Sequence, residues 1–275
     1  MQKKLRFALF GNEFQAKKAA STQKVIDTLS ALGCEVVVEP LCDEDFRADF
    51  AISIGGDGTF LKTASYVGTK GIPIIGVNIG RLGFLADVRD NEIEQAFKAI
   101  DEGRYRIEEH AVIGLQAEGL PQDFIPFALN DIAVLKRDNA SMMTIHAYVD
   151  GDPLVTYRAD GLVVSTPTGS TAYNLSNGGP IMISQAEVLC LTPVAPHSLN
   201  IRPIVVPDNA VVELEVESRS HNFLVAVDGR SETLDEQARI RISKARHKVK
   251  IVKRESENFF STLREKMMWG KDGRN

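Results

Sequence analysis

Residues 51–63 read Ala-Ile-Ser-Ile-Gly-Gly-Asp-Gly-Thr-Phe-Leu-Lys-Thr. A mostly apolar run meets a glycine-dense turn, and Phe60–Val67 beyond it has the composition of a helix. Strand, turn and helix start is an arrangement in which backbone N–H groups converge on an anion. Gly55, Gly56 and Gly58 permit positive φ and leave no Cβ to keep a phosphate away from the backbone. An aspartate inside such a loop repels a phosphate, so Asp57 is read as a working group that either accepts a proton from an attacking hydroxyl or holds a divalent metal. The plain alternative is a helix cap. GGDGT directly after a mostly apolar strand favours the functional reading.

Outward from this loop, short apolar runs alternate with helical patterns. Arg6–Phe10, Glu35–Val38, Phe50–Ile54 and Pro73–Val77 are strand candidates. Val25, Leu29 and Leu32 recur at helical spacing before Gly33, and Ile93, Ala96, Phe97 and Ile100 share one face of a helix over Asn91–Glu102. This βαβ rhythm predicts a doubly wound α/β domain, a parallel sheet with helices on both faces. A second glycine set, Gly76, Gly80 and Gly83, lies at and beyond the end of the neighbouring strand, where such sheets bind ligands. GxxxxGK[ST] is absent and no GxGxxG ends a strand, so neither a P-loop nor a hydride-transfer Rossmann site is supported.

After about residue 105 the texture changes. Ile132–Leu135, Met143–Val149, Leu154–Tyr157, Leu162–Val164, Val211–Val216 and Leu224–Val227 are short, often alternating runs, separated by turn pairs such as Asp150-Gly151 and Asp228-Gly229. An all-β second domain follows. The basic stretch 244–254 reads as a strand with a solvated face, and Ser256–Gly270 turns helical again and is expected to pack back on the first domain. The expected division is 1–104 plus 255–275 for the α/β domain and 105–254 for the β domain. Residues 165–180, Ser-Thr-Pro-Thr-Gly-Ser-Thr-Ala-Tyr-Asn-Leu-Ser-Asn-Gly-Gly-Pro, are dense in hydroxyls and glycines, and Tyr173 offers a flat face for a base. By composition alone they form a polar surface loop. No GxSxG elbow is present, so a serine hydrolase is unsupported.

These pieces together resemble the NAD kinase family. The match is carried by GGDGT at 55–59, NIGRLGFL at 78–85, Asn130-Asp131, Asp160-Gly161, the run 165–180, Pro196-His197-Ser198-Leu199 and Arg202-Pro203. GGDGT is shared with diacylglycerol-type lipid kinases; the 165–180 run is the more specific element. The resemblance implies an N-terminal α/β domain, a C-terminal β-sandwich and NAD bound between them. The implied reaction transfers the γ-phosphoryl of ATP to the 2′-hydroxyl of the adenosine ribose, giving NADP. By position, Asp57 is the implied proton acceptor and Gly58 lines the same pocket. Asn130 and Asp131 are to hold ribose hydroxyls or a base edge. Thr171, Ala172, Tyr173, Asn174, Leu175 and Ser176 are to surround the adenosine, with Asp160 nearby. Lys62, Ser141, Arg158 and Arg230 line the dinucleotide site by weaker identity. Most relatives carry Glu where this chain has Asp131, and a basic residue at Arg158 is similar to relatives that prefer NAD over NADH. A divalent cation, Mg²⁺ or Mn²⁺, is expected to travel with ATP, and a homodimer or homotetramer is implied.

Bulk properties set the outer limits. A chain of 275 residues has room for two domains, and 44% hydrophobic with 25% charged residues is globular composition. A net charge of -5 argues against nucleic acid as a main partner, because phosphate-backbone binding needs a concentrated positive surface. The charged start and the short apolar run ending at Gly11 lack a secretory core, and no segment reaches the roughly 18 apolar residues of a membrane span. A cytoplasmic protein is expected. Three cysteines, odd in number and outside any CxxC pair, and five histidines without metal-ligand spacing point to neither a disulfide framework nor a zinc site. Two rival readings remain at this stage: a lipid kinase, which needs an apolar cleft, and a binding protein that has lost turnover.

Overall fold

The computed structural model describes residues 4–11, 16–38, 46–80, 83–137, 142–255 and 258–270. In chain order the elements are β1 (Arg6–Gly11), α1 (Ala16–Ala31), β2 (Glu35–Val38), β3 (Phe50–Ile54), α2 (Asp57–Val67), β4 (Ile74–Asn78), β5 (Val88–Arg89), α3 (Ile93–Asp101), β6 (Arg106–Gln116), β7 (Phe127–Ala128), β8 (Asp131–Leu135), β9 (Met143–Val149), β10 (Asp152–Ala159) and β11 (Gly161–Ser165). Then follow α4 (Tyr173–Ser176), β12 (Val188–Val194), β13 (Ile204–Pro207), β14 (Val212–Glu217), β15 (Asn222–Val227), β16 (Arg230–Asp235), β17 (Ile240–Lys253) and α5 (Phe259–Met267). The chain divides into two compact units: residues 1–109 with 249–275, and residues 110–248.

The first unit is an α/β layer structure. Parallel strands run in the order β2-β1-β3-β4, and β5 and the end of β17 both lie beside β4, with Ile251 opposite Ile74. Strand alternation sends successive residues to opposite faces. Phe7 meets Phe97 of α3 edge-on at 6.1 Å, whereas Phe10, three residues on, meets Tyr66 of α2 at 5.9 Å. Val25 and Leu29 of α1 and Ile93, Phe97 and Ile100 of α3 join the core on the Phe7 side. The helices therefore cover both faces, which explains why β3 and β4 are buried along their whole length.

The second unit is all-β around its own core. One antiparallel sheet runs β10-β9-β14-β17 and the other runs β13-β12-β11-β8-β15-β16. Met143, Ile145 and Ala147 of β9 and Val212, Leu214 and Val216 of β14 point inward against Phe223, Val225 and Val227 of β15 and Leu162 and Val164 of β11. That is sandwich packing. β11 is buried on both faces, because the turns of residues 168–176 pack against it from outside the sandwich.

The polar run 165–180 therefore departs from the surface loop that its composition predicts. Ser165, Thr166, Ser170 and Asn174 are fully buried, and each finds a hydrogen-bond partner within the protein. Helix α2 begins at Asp57 rather than near Phe60. Strands β6, β12, β13 and β16 have no counterpart in the sequence reading.

Candidate active site

In the first unit, GGDGT joins β3 to α2. Gly56 is the N-cap and contributes no side chain, while its carbonyl accepts from the amides of Thr59 and Phe60 at 3.0 and 3.1 Å. The first amides of α2 consequently face outward without a side-chain cap, a geometry suited to an anion. Asp57 does not cap its own helix. Its carboxylate turns to the loop after β4 and accepts from three consecutive amides: Phe84 at 3.0 Å, Leu85 at 3.1 Å and Ala86 at 3.2 Å. Gly83 makes this approach possible, since a Cβ there would stand 2.1 Å from Oδ1 of Asp57. A fourth donor comes from α5: Nζ of Lys266 is 3.2 Å from Oδ2. Burial raises the Asp57 pKa, but Lys266 and the three amides outweigh it and leave the group below the ordinary carboxylate value. Asp57 is an ionised carboxylate at neutral pH.

The loop that supplies those amides is itself fixed. Lys253, near the end of β17, is buried; it donates to Asp87 Oδ2 at 2.8 Å and to the Phe84 carbonyl at 3.3 Å. Asn78 donates to the Ala86 carbonyl at 3.2 Å and accepts from the Gly80 amide at 2.7 Å. The second glycine set thus belongs to the same structure as GGDGT, through Gly83 and the loop it opens. Lys62, by contrast, lies along α2 with its ammonium 5.6 Å from the Tyr66 ring centroid.

In the second unit the organising residue is Asp228, which the sequence reading treated only as half of a turn pair. It has φ 48°, and its carboxylate accepts from the amides of Leu129 at 2.8 Å, Asn130 at 2.8 Å and Asp131 at 3.2 Å. Burial, and then the adjacent Asp228 charge, push the Asp131 carboxyl up to about 7. Burial also raises Asp228, against its three amides and Arg230. Arg230 spans this corner, donating to the carbonyls of Val227 at 3.2 Å and Phe127 at 2.9 Å. Across from it, Thr166 donates to the Leu129 carbonyl at 2.5 Å, and its amide donates to the Asn130 carbonyl at 2.9 Å. Gly169 packs so close that a Cβ would lie 2.1 Å from that same carbonyl oxygen. Asn130, Asp131, Arg230 and the start of the 165–176 run are therefore one cluster.

The remaining predicted residues divide by role. Asn174 is fully buried; it donates to the carbonyls of Ser170 and Pro180 and accepts from the Thr192 hydroxyl. Its amide holds the loop together. Thr171, Ala172 and Leu175 are half-buried, whereas Tyr173 and Ser176 are exposed. Asp160 lies elsewhere: Ser165 pairs with Asp131 and Gly161 with Leu135, so Asp160 is at the other end of the β8–β11 pair, roughly 15 Å along the strands. There it pairs with Lys136 at 2.7 Å. Arg158 is exposed on β10, its carbonyl accepting from the His197 amide. Ser141 lies outside the described residues. Asp87, Asp228, Lys253 and Lys266 were missed; the only local signal was the Asp-Gly pair at 228–229.

No group of three or more His, Cys, Asp or Glu side chains suited to a metal occurs among the described residues, and no helix among them is long and apolar enough to cross a membrane.

Residues 3–105 match the ATP-NAD kinase N-terminal domain family, and residues 129–254 match the ATP-NAD kinase C-terminal domain family. The chain is 49% identical to the NAD kinase of Bacteroides fragilis over 98% of its own length and 100% of that protein. It is 39% identical to the NAD kinase of Porphyromonas gingivalis over 96% and 98% of the two chains. Among solved structures, an Archaeoglobus fulgidus NAD kinase in complex with ATP superimposes with a TM-score of 0.80 at 29% identity, covering 94% of this chain and 99% of the other. Yeast NADH kinase complexed with NADH gives a TM-score of 0.88 at 23% identity, covering 98% and 90%, a likeness of fold.

Proposed function

The chain belongs to the NAD kinase family, and on that premise we propose that Asp57 is the proton acceptor in its reaction. The chain is a phosphotransferase: it moves the γ-phosphoryl of ATP to the 2′-hydroxyl of the adenosine ribose of NAD, forming NADP. In that transfer the ribose oxygen bonds to the γ-phosphorus while the bond to the β,γ-bridging oxygen breaks, and ADP leaves with the electron pair. Positioning and neutralisation of phosphate charge supply most of the acceleration. A ribose hydroxyl is a weak nucleophile at neutral pH, so a carboxylate that takes its proton as the bond forms lowers the barrier further.

The observation that carries this reading is the ionised Asp57 carboxylate, fixed at the start of α2 by three consecutive amides. In the second unit, Asn130 and Asp131 are suited to ribose hydroxyls or a base edge. The exposed Tyr173 offers an aromatic face, and Thr171, Ala172 and Ser176 complete the adenosine contacts. Asn174 and Leu175 shape that loop, and Arg230 holds the Asp228 corner. Gly58 contributes backbone beside Asp57. Lys62, Arg158 and Ser141 are assigned to the lining of the dinucleotide site, with Asp160 nearby and Arg158 favouring the oxidised dinucleotide. The divalent cation is assigned to ATP, entering as part of the substrate, since Mg²⁺ is held chiefly through substrate phosphates in such sites. A cytoplasmic homo-oligomer completes the proposal; the exposed Ile204 and Val205 on the edge strand β13 support an assembly.

The deciding experiment is a coupled NADP-formation assay on the purified chain, with ATP or polyphosphate as donor and NAD, NADH or diacylglycerol as acceptor. NADP formed from ATP and NAD, dependent on Mg²⁺ or Mn²⁺ and with NAD used faster than NADH, is the expected result. Turnover without a divalent cation would remove the metal–ATP substrate, and equal use of NADH would remove the role of Arg158.

A further inference from the structure

Asp57 carries four donors: the amides of Phe84, Leu85 and Ala86, and the ammonium of Lys266. A carboxylate so fully engaged is a weak base, because each donor favours its charged form. One of them must be released before an oxygen can take a proton. The amides cannot leave, since their loop is clamped through the Phe84 and Ala86 carbonyls and the buried Lys253–Asp87 pair. Lys266 differs. It comes from α5, its side chain is 31% exposed, and its contact with Asp57 is a single ion pair at the protein surface. Such pairs are weak and exchange readily for a more highly charged partner. The ammonium also lies 4.4 Å from the centroid of the Phe84 ring, whose face can hold it close to Asp57 after the ion pair opens.

We propose that Lys266 is a phosphate-binding residue that passes from Asp57 to the triphosphate when ATP binds. The ammonium transfers its contact from Oδ2 of Asp57 to a non-bridging phosphate oxygen. Oδ2 then accepts the ribose hydroxyl proton as the ribose oxygen bonds to the γ-phosphorus and ADP departs with the bridging oxygen's electron pair. Proton balance closes on protonated Asp57, which returns the proton to solvent after the product leaves. The arrangement makes the base available only when the phosphoryl donor is present. This inference rests on the reading of Asp57 as proton acceptor.

The test is steady-state kinetics on the full chain for Lys266→Met, Lys266→Gln, Lys266→Arg and Asp57→Asn, with melting curves to establish that each is folded. Loss of a charge-assisted phosphate contact should raise the KM for ATP about tenfold or more in Lys266→Met and Lys266→Gln, with the KM for NAD unchanged within about twofold. Lys266→Arg, which keeps the cation, should recover most of that loss. An unchanged KM for ATP in both neutral variants, or a fall in kcat with both KM values constant, overturns the proposal. If Asp57→Asn keeps near-normal kcat, the base reading and the release step fall together, whatever Lys266 does. If Asp57→Asn is inactive and the neutral Lys266 variants behave as wild type, only the exchange is refuted.

Discussion

Asp57 and Asp228 are held in the same way and end in opposite electrostatic conditions. Each accepts hydrogen bonds from three successive backbone amides, residues 84–86 for Asp57 and residues 129–131 for Asp228. Asp57 also meets the ammonium of Lys266 and is shifted down. At Asp228 burial outweighs its three amides and Arg230 and shifts the group up, while Asp131, buried beside that charge, reaches about 7. A run of amides therefore fixes where a carboxylate sits, but the balance between burial and the groups that favour the charged form decides the direction in which it is shifted. The first arrangement keeps a carboxylate charged and fully engaged by its four donors. The second leaves Asp131 half-protonated near neutral pH, beside a carboxylate held by backbone amides.

The largest expected effect lies on the Asp57 side. Asp57→Asn should lower kcat by about 10²–10⁴-fold while NAD affinity stays within about tenfold. Near-normal turnover in that variant would end the assignment of Asp57 as base. Removing the clamp behind it should cost stability: Lys253→Met leaves Asp87 buried and unpaired, a loss of about 3–5 kcal/mol read from the denaturant midpoint. Adding Asp87→Leu to that variant should restore much of the loss, and failure to do so would mean that the pair is held for another reason.

On the other side, Asp228→Ala strips an acceptor from three amides but relieves Asp131, so a net loss of about 1–3 kcal/mol is expected in urea melts. Asp228→Asn keeps an acceptor and tolerates the positive φ, and it should cost less. A larger loss for Asn than for Ala would show that the amide triplet is not what Asp228 supplies.

The smallest effect is a pH slope. Asp131 binds its proton more tightly folded, at about 7, than at the ordinary 3.8. Its contribution is therefore complete below about pH 4 and is lost as pH rises towards about 7, at no more than about 1.4 kcal/mol per unit. Asp131→Asn should remove that slope, so the stability difference between wild type and variant should change between pH 4 and 7 and be constant above. A pH-independent difference would mean that Asp131 titrates normally.

Much of the α/β unit was legible because its signals are local. Val25 with Leu29, and Ile93 with Phe97 and Ile100, mark one helix face each, and the glycine turn after Phe50–Ile54 marks the strand end. The second unit was harder to read. β6, β12, β13 and β16 carry charged, proline-bearing or edge sequences whose strand character comes from their partners. The buried hydroxyls of residues 165–174 were misjudged for a related reason. Composition records that Thr166, Ser170 and Asn174 are polar, but not that backbone carbonyls and Thr192 wait to satisfy them.

The family, the two-part architecture and the glycine turn that carries Asp57 could all be read along the chain, because glycine spacing and hydrophobic period are written in neighbouring positions. What surrounds that carboxylate could not, and it emerges with folding alone. Lys253 and Lys266 stand about two hundred residues further along, and the ion pairs they make arise only once the C-terminal segment has returned to the first unit.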